Sequence, residues 1–394
     1  MSDSTHISWT EEGQPRRARW RSESGAPAPK RVMIADDTLT ADAAFRLASE
    51  GTAMLWRCDF QNARQLLQAL ARRTDKPKKA SKPKSAAAVA APIDRFNLHR
   101  QAQSQRARTL AMLVIEFDGQ HQISLRRAPN VTQACTEAYG PGNATQETYV
   151  ASLRELLGLI SAHEWRKKGV EVAALDGQRI HPHYGVFAPV RGEYVQLVRD
   201  APLPKALAGN SLAFDIGTGT GVLAAVLARR GVARVVATDQ EPRALACARD
   251  NLERLGLTTQ VTLQQLDLFP PERAPLVVCN PPWLPARPSS PLEHAVYDPE
   301  SRMLRGFLSG LAAHLLPGGE GWLVLSDLAE HLGLRSRDQL LTWINEAGLR
   351  VVGRMDTRPQ HAKVFDAQDT LHSARAAEIT SLWRLAAKAA SEAL

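Results

Sequence analysis

The pattern of apolar and polar positions changes character near residue 210. Beyond it, short apolar runs at 211–216, 233–238, 260–268, 276–279, 321–326 and 349–356 read as strands, with a last strand at 379–385. Between them, 222–230, 243–255, 301–316 and 338–347 carry helical spacing. Pro242 suits a first helical turn, Gly231 and Gly256 suit helix ends, and Pro317-Gly318-Gly319 is expected to stop the third helix. Strands and helices that alternate over short links predict an α/β fold. The sheet is doubly wound, Rossmann-like and mostly parallel, with seven strands, and it occupies residues 211–394.

Upstream the pattern is less regular. Residues 1–38 are rich in Ser, Arg, Pro and Gly, lack periodicity, and read as a disordered tail. Residues 39–165 read as an accessory α+β domain able to help select substrate. Within it, Thr40 can cap a helix over 41–50 that Gly51 stops, and a helix after Asp59 presents Ala63, Leu66, Leu67 and Leu70 on one face. A Lys/Pro/Ala-rich stretch, 75–92, reads as a linker. Asp118-Gly119 is expected to turn a hairpin between 110–117 and 122–125, and 149–163 reads as a helix with Leu153, Leu156, Leu157 and Ile160 in a stripe. Residues 166–210 form a connector. Its stretch 184–195 is a candidate lid carrying Arg191 and Glu193, with a surface ion pair as the plainer reading.

Composition narrows the class. With 44% hydrophobic and 23% charged residues in 394, the chain reads as globular, with length for two domains. No apolar run approaches the roughly 18–20 residues of a membrane span, and the polar first 30 residues predict no secretory signal. Cys58, Cys135, Cys247 and Cys279 lack metal-ligand spacing and read as reduced thiols of a cytoplasmic protein, expected as a monomer. The net charge of +8 is uneven, because residues 1–90 hold 16 Lys+Arg against 10 Asp+Glu and the remainder 33 against 31. That excess fits either a nucleic-acid contact or a solvated tail. Trp9 and Trp20, the latter among arginines, could stack on bases, but two tryptophans do not favour that reading.

The chemistry lies at the ends of the predicted strands. Gly217-Thr218-Gly219-Thr220-Gly221 follows the first, where an open sheet binds its ligand. Gly217 and Gly219 allow a ligand close to the backbone, and Gly221 lets the next helix pack. Asp215 just before the loop would repel a pyrophosphate and suits a cationic amino-acid moiety, which favours S-adenosylmethionine (AdoMet) over a nicotinamide dinucleotide. Asp239, ending the second strand, can accept both ribose hydroxyls. Asp267, after the third, can accept from the adenine amino group. Helix capping is the plainer role for each Asp.

Asn280-Pro281-Pro282-Trp283 ends the fourth strand. Two prolines remove backbone donors and stiffen the chain. The Asn280 side-chain oxygen and the Pro281 carbonyl can then accept both hydrogens of a planar NH2 group, with Trp283 flat against it. Asn280 is also placed at the edge of the cofactor site, and Cys279 reads as a packing residue.

These residues resemble the class I AdoMet-dependent methyltransferases with an Asn-Pro-Pro-aromatic signature, over about residues 184–357. Within that group the chain is most similar to the release-factor glutamine N5-methyltransferases. The resemblance implies AdoMet held by Asp215, Gly217, Gly219, Asp239 and Asp267. It also implies a target nitrogen held by Asn280 and Pro281 on a translation factor, a ribosomal protein or an RNA. Trp283 stands where those enzymes usually have Tyr, and Pro189-Val190-Arg191-Gly192-Glu193 only loosely echoes their Pro-Arg-Pro-Glu-Thr-Glu stretch. The same signature serves exocyclic amines of adenine and guanine, so protein glutamine stands slightly ahead of an RNA or DNA amine. A non-catalytic binding protein of this fold would be expected to show damaged motifs, and an oxidoreductase a different glycine register.

Overall fold

The computed structural model describes residues 6–75, 91–288, 291–360, 366 and 369–389. It divides into two compact units, Met1–Ala90 with Asn97–Glu164, and Ala91–Phe96 with Trp165–Leu394.

The first unit opens with strands β1 (His6–Glu11) and β2 (Gln14–Trp20), where a disordered tail was expected. Glu12 and Gly13 both take positive φ, 50° and 74°, as a two-residue hairpin turn matched to strand twist requires. Ile7, Trp9, Ala18 and Trp20 are buried while Arg16, Arg17 and Arg19 remain exposed. Arg17 and Arg19 lie on the open face, and Arg16, opposite Trp9 at the end of the apolar face, interrupts the alternation there. Both tryptophans therefore serve the core, and neither is free to stack on a base.

The unit continues through β3 (Arg31–Ala35), α1 (Ala41–Ser49), β4 (Thr52–Trp56), α2 (Phe60–Thr74), α3 (Pro92–Leu110), β5 (Leu113–Phe117), α4 (Thr132–Tyr139), β6 (Tyr149–Ser152) and α5 (Leu153–Lys168). Six strands form one sheet, ordered β1-β2-β6-β5-β4-β3. Thr40 caps α1 through Ala43 N, and Asp59 caps α2 through Gln61 N and Asn62 N. Two expectations fail. The Asp118 turn forms, with His121 N–H on Asp118 O at 3.1 Å, but 122–125 is not a strand, and β5 pairs with β4 and β6. Residues 149–152, expected as helix, are that buried strand. Most of the expected linker, 76–90, lies outside the described residues, and α3 already begins at Pro92.

The second unit comprises β7 (Val170–Glu171), β8 (Arg179–Ile180), α6 (Gly192–Asp200), β9 (Leu212–Ile216), α7 (Val222–Arg229), β10 (Arg234–Asp239), α8 (Pro242–Arg254), β11 (Val261–Gln265), β12 (Ala274–Cys279), α9 (Arg302–His314), β13 (Leu315–Ser326), α10 (Leu328–His331), α11 (Arg337–Glu346), β14 (Leu349–Thr357), α12 (His372–Ala377) and β15 (Thr380–Ala387). Its seven-stranded sheet runs β11-β10-β9-β12-β13-β15-β14, with only β15 antiparallel to its neighbours. Pro317-Gly318-Gly319 does not end a helix. α9 stops at His314, and the Pro-Gly-Gly lies inside β13, where the register against β12 shifts.

Both faces of this sheet are covered. Along β9, Ala213 joins the apolar layer of α6 and α7, while Leu212, Phe214 and Ile216 join that of α9 and α11. Leu212, Phe214 and Ile216 each contribute about 1.5–3 kcal/mol when fully buried. The strand order reverses between β9 and β12, whose ends lie side by side, with Cys279 opposite Ile216 and Thr238 opposite Ile216 on the other flank. The segments leaving these three strands therefore emerge together at the switch point of the sheet.

Candidate functional site

Three of the four sequence-predicted clusters lie at these strand ends, and the fourth, Asp267, follows the adjacent β11. Thr238 O accepts from Gly217 N at 2.9 Å and from Thr218 N at 2.8 Å, which ties the glycine loop to β10. Gly217, Gly219 and Gly221 all take positive φ, but their surroundings differ. A Cβ on Gly217 would strike the Met303 methyl, and one on Gly221 would press on Ala248 at 3.3 Å. A Cβ on Gly219 would meet nothing within 4 Å. Gly219 alone thus faces open space, whereas Gly217, expected to approach a ligand, is filled by a side chain of α9.

Asp215 lies beneath the loop and is 1% exposed. Its Oδ2 accepts from Thr218 Oγ at 2.6 Å and Ala224 N at 3.0 Å, so this oxygen braces the loop. Burial pushes its pKa up to about 6 against those two bonds. Asp239, at the end of β10, takes Gly219 N on Oδ2 and Glu241 N on Oδ1, each at 3.0 Å. Each oxygen of Asp239 keeps a further lone pair, and burial raises its pKa as well. Asp267 differs from these two in being exposed and paired with Arg302 Nη2 at 2.5 Å. Its neighbours nonetheless tie it to β10, Leu266 N–H donating to Asp239 O at 3.1 Å and Leu268 O accepting from Thr238 Oγ at 2.6 Å.

The Asn-Pro-Pro-Trp segment leaves β12 beside the loop. Pro281 is buried and Pro282 half-buried. Trp283 donates its indole N–H to Asn280 Oδ1 at 2.9 Å. The indole nitrogen can only donate, so it fixes which end of the Asn280 amide faces it and leaves one oxygen lone pair free. Buried Cys279 packs in the sheet, and burial raises its thiol pKa far above normal.

Residues less legible in the sequence hold this segment. Tyr194 meets Trp283 edge-on, centroids 6.5 Å apart, and the Arg191 guanidinium lies 5.6 Å from the indole ring. Arg191 is not part of a surface ion pair. It donates to both oxygens of Glu378 at 3.1 and 3.3 Å, and Glu378 is 1% exposed and also accepts from Ser326 Oγ at 2.7 Å. Glu193 was the other charge singled out in this stretch, and its Oε1 is buried with no hydrogen-bond partner among the described residues. Beyond the motif, Leu284 N–H bonds Val296 O at 3.1 Å and Asp298 N–H bonds Leu284 O at 2.8 Å. Asp298 then caps α9 through Met303 N and Leu304 N, with Glu300 and Ser301 both left-handed.

A ligand-accessible backbone at Gly219, with the Asp239 carboxylate bonded to that same residue, fits the ribose and methionyl portions of AdoMet. A carboxylate with spare lone pairs suits ribose hydroxyls, and the absence of a Cβ leaves room beside the loop.

Residues 180–337 match the methyltransferase small domain. The chain is 36% identical to a release factor glutamine methyltransferase of Cereibacter sphaeroides over 171 residues, 41% of this chain and 58% of the relative. It is also 36% identical to one of Moorella thermoacetica over 149 residues, 32% and 53% of the two chains. A ribosomal protein L11 methyltransferase of Tolumonas auensis is 32% identical over 123 residues, 29% and 40% of the two. The chain spans about half the length of these curated relatives. Among the described residues no helix is long and apolar enough to cross a membrane.

Proposed function

We propose that this chain, which carries a class I AdoMet-dependent methyltransferase domain, methylates the side-chain amide nitrogen of a glutamine in a protein acceptor. The observation that carries this reading is the Asn280 amide oxygen, oriented by Trp283 at 2.9 Å beside the glycine loop. The names of the similar proteins, which specify protein acceptors, support it.

AdoMet supplies an electrophilic methyl group when bound. Gly219 would let its methionyl end lie against the backbone, and Asp239 would accept the ribose hydroxyls. Asp215 holds the loop in shape through Thr218 and Ala224. Asp267 would have to share its carboxylate with Arg302 to reach the adenine amino group.

An amide nitrogen is a poor nucleophile because its lone pair is delocalised. Asn280 Oδ1 and the Pro281 carbonyl would each accept one of its N–H bonds, hold the NH2 plane, and turn the lone pair toward the methyl group. As the nitrogen gains positive charge, those two dipoles stabilise its hydrogens. Trp283 packs beside the amide and keeps water from Asn280. The catalytic contribution of these residues is therefore orientation and fixed electrostatics.

The test uses methyl-labelled AdoMet and an extract from cells lacking this gene, divided between nucleases and protease. Label that resists nucleases and is lost to protease is expected. Label lost to nucleases would instead assign an adenine or guanine amine and overturn the protein reading.

A further inference from the structure

The Asn280 amide is oriented by the Trp283 indole, and the indole is in turn in contact with a charge from outside the motif. Arg191, the residue before α6, carries its guanidinium over the Trp283 ring, 5.6 Å from the centroid. That separation lies within the reach of a cation–π attraction. A cation over the ring also draws electron density from it, which makes the indole N–H a stronger donor to Asn280 Oδ1.

A partly buried guanidinium against an apolar ring is costly without a counter-charge. Glu378 provides one from a fully buried side chain, accepting from Arg191 Nη1 at 3.1 Å and Nη2 at 3.3 Å on its two oxygens. A two-point contact of this kind fixes the plane of the guanidinium as well as its position. Glu378 is itself anchored to the sheet. Ser326, which ends β13, donates its hydroxyl to Glu378 Oε1 at 2.7 Å, and the same oxygen accepts from Leu328 N at 3.0 Å. β13 pairs with β12, the strand that leads into Asn280. The contacts Ser326–Glu378–Arg191–Trp283–Asn280 therefore begin at the end of one strand and finish at the end of its neighbour.

We infer that Glu378 is a positioning residue for the acceptor grip, acting through Arg191 and Trp283 on the Asn280 amide. It lies beyond the segment that matches the methyltransferase small domain, residues 180–337. The use of Asn280 as a grip rests on the proposed function, whereas the path of contacts that orients it does not.

The experiment separates orientation from stability by removing both charges together. Arg191→Met with Glu378→Gln strands neither partner, and Tyr194 still meets the indole edge-on. The full chain is prepared with isotopically labelled tryptophan, and the Trp283 indole N–H signal is identified in nuclear magnetic resonance spectra by its loss in Trp283→Phe. In the doubly neutral variant this signal is expected to shift and to exchange with solvent about threefold faster or more. The Trp56 indole, bonded to Asp59 O in the first unit, should stay as in wild type. Arg191→Lys, which keeps a charge for Glu378, should fall between the two. Turnover is measured at saturating AdoMet with the labelled fraction of the extract, whichever acceptor it contains. The doubly neutral variant should lose about threefold or more in kcat at unchanged AdoMet affinity. In a Trp283→Phe background the same two changes should have less than about a twofold effect.

A Trp283 signal unmoved in the doubly neutral variant overturns the inference, as does a kcat that recovers together with stability. Equal effects with and without the indole would show that Glu378 acts by another route and overturn it too. A loss of AdoMet affinity that accounts for the lost turnover would assign the pair to the cofactor. Label found on nucleic acid would sink the glutamine reading alone, and absence of any methylation would sink the proposed function and leave the indole signal to decide the positioning role.

Discussion

Trp283 donates its indole N–H to Asn280 Oδ1 at 2.9 Å. A phenylalanine at position 283 would keep an aromatic face but free the Asn280 amide to rotate. Trp283→Phe is expected to lower kcat by roughly tenfold, the worth of about one oriented hydrogen bond, while AdoMet affinity measured by calorimetry stays near wild type. A parallel loss of AdoMet affinity would mean that the indole serves the cofactor.

Gly217 and Gly219 separate packing from binding. Gly217→Ala should destabilise the fold through its left-handed backbone, at φ 72°, and through its Cβ meeting the terminal methyl of Met303, and Met303→Ala should restore only the part due to that contact in urea titrations. Gly219→Ala meets no neighbour and carries mainly left-handed backbone strain of about 1–2 kcal/mol. Its principal effect is expected in a weakened Kd for AdoMet. Equal AdoMet affinity in Gly219→Ala would remove the loop from the cofactor site.

The Arg191–Glu378 pair offers a stability test. Arg191→Met leaves the buried Glu378 carboxylate with only Ser326 among these partners, and breaking a buried pair costs roughly 3–5 kcal/mol. Adding Glu378→Gln removes the stranded charge and should recover most of that loss in chemical denaturation. A single change costing under about 1 kcal/mol would contradict the pair's importance.

Asp215 has a pH signature. Its folded pKa, about 6, lies above the ordinary aspartate value of 3.8, so the folded state binds more protons between these values. Stability from this group is fully present below the unfolded pKa and is lost as pH rises through 6. Asp215→Asn should therefore gain stability relative to wild type as pH rises from about 4 to about 7, with no further gain above. A difference between the two proteins that is flat with pH would show that Asp215 is not held protonated by burial.

What was legible in the sequence was local. The glycine loop, the Asn-Pro-Pro-Trp segment and the Asp239 strand end are written in a few adjacent residues, and the strand period placed them at one edge of a sheet. The partners were not local. Glu378 lies 187 residues from Arg191, Met303 fills Gly217 from another helix, and no periodicity encodes either. The β1–β2 hairpin was missed because Arg17 and Arg19 on its open face, with Arg16 breaking the apolar face, outweigh the alternation of Ile7, Trp9, Ala18 and Trp20. Asp267 matched by position, but no sequence pattern reveals its exposure or its ion pair with Arg302.

The most direct measurement identifies the residue that receives the methyl group. Extract protein labelled with wild type, and in parallel with Asn280→Ala, is digested enzymatically to amino acids and the labelled species is separated. The expected result is label on the side-chain amide of glutamine, with Asn280→Ala lowering its rate by about 10²–10³-fold at nearly unchanged AdoMet affinity. Label on lysine or arginine, or transfer that persists undiminished in Asn280→Ala, would contradict the assignment of Asn280 as the grip on an amide nitrogen.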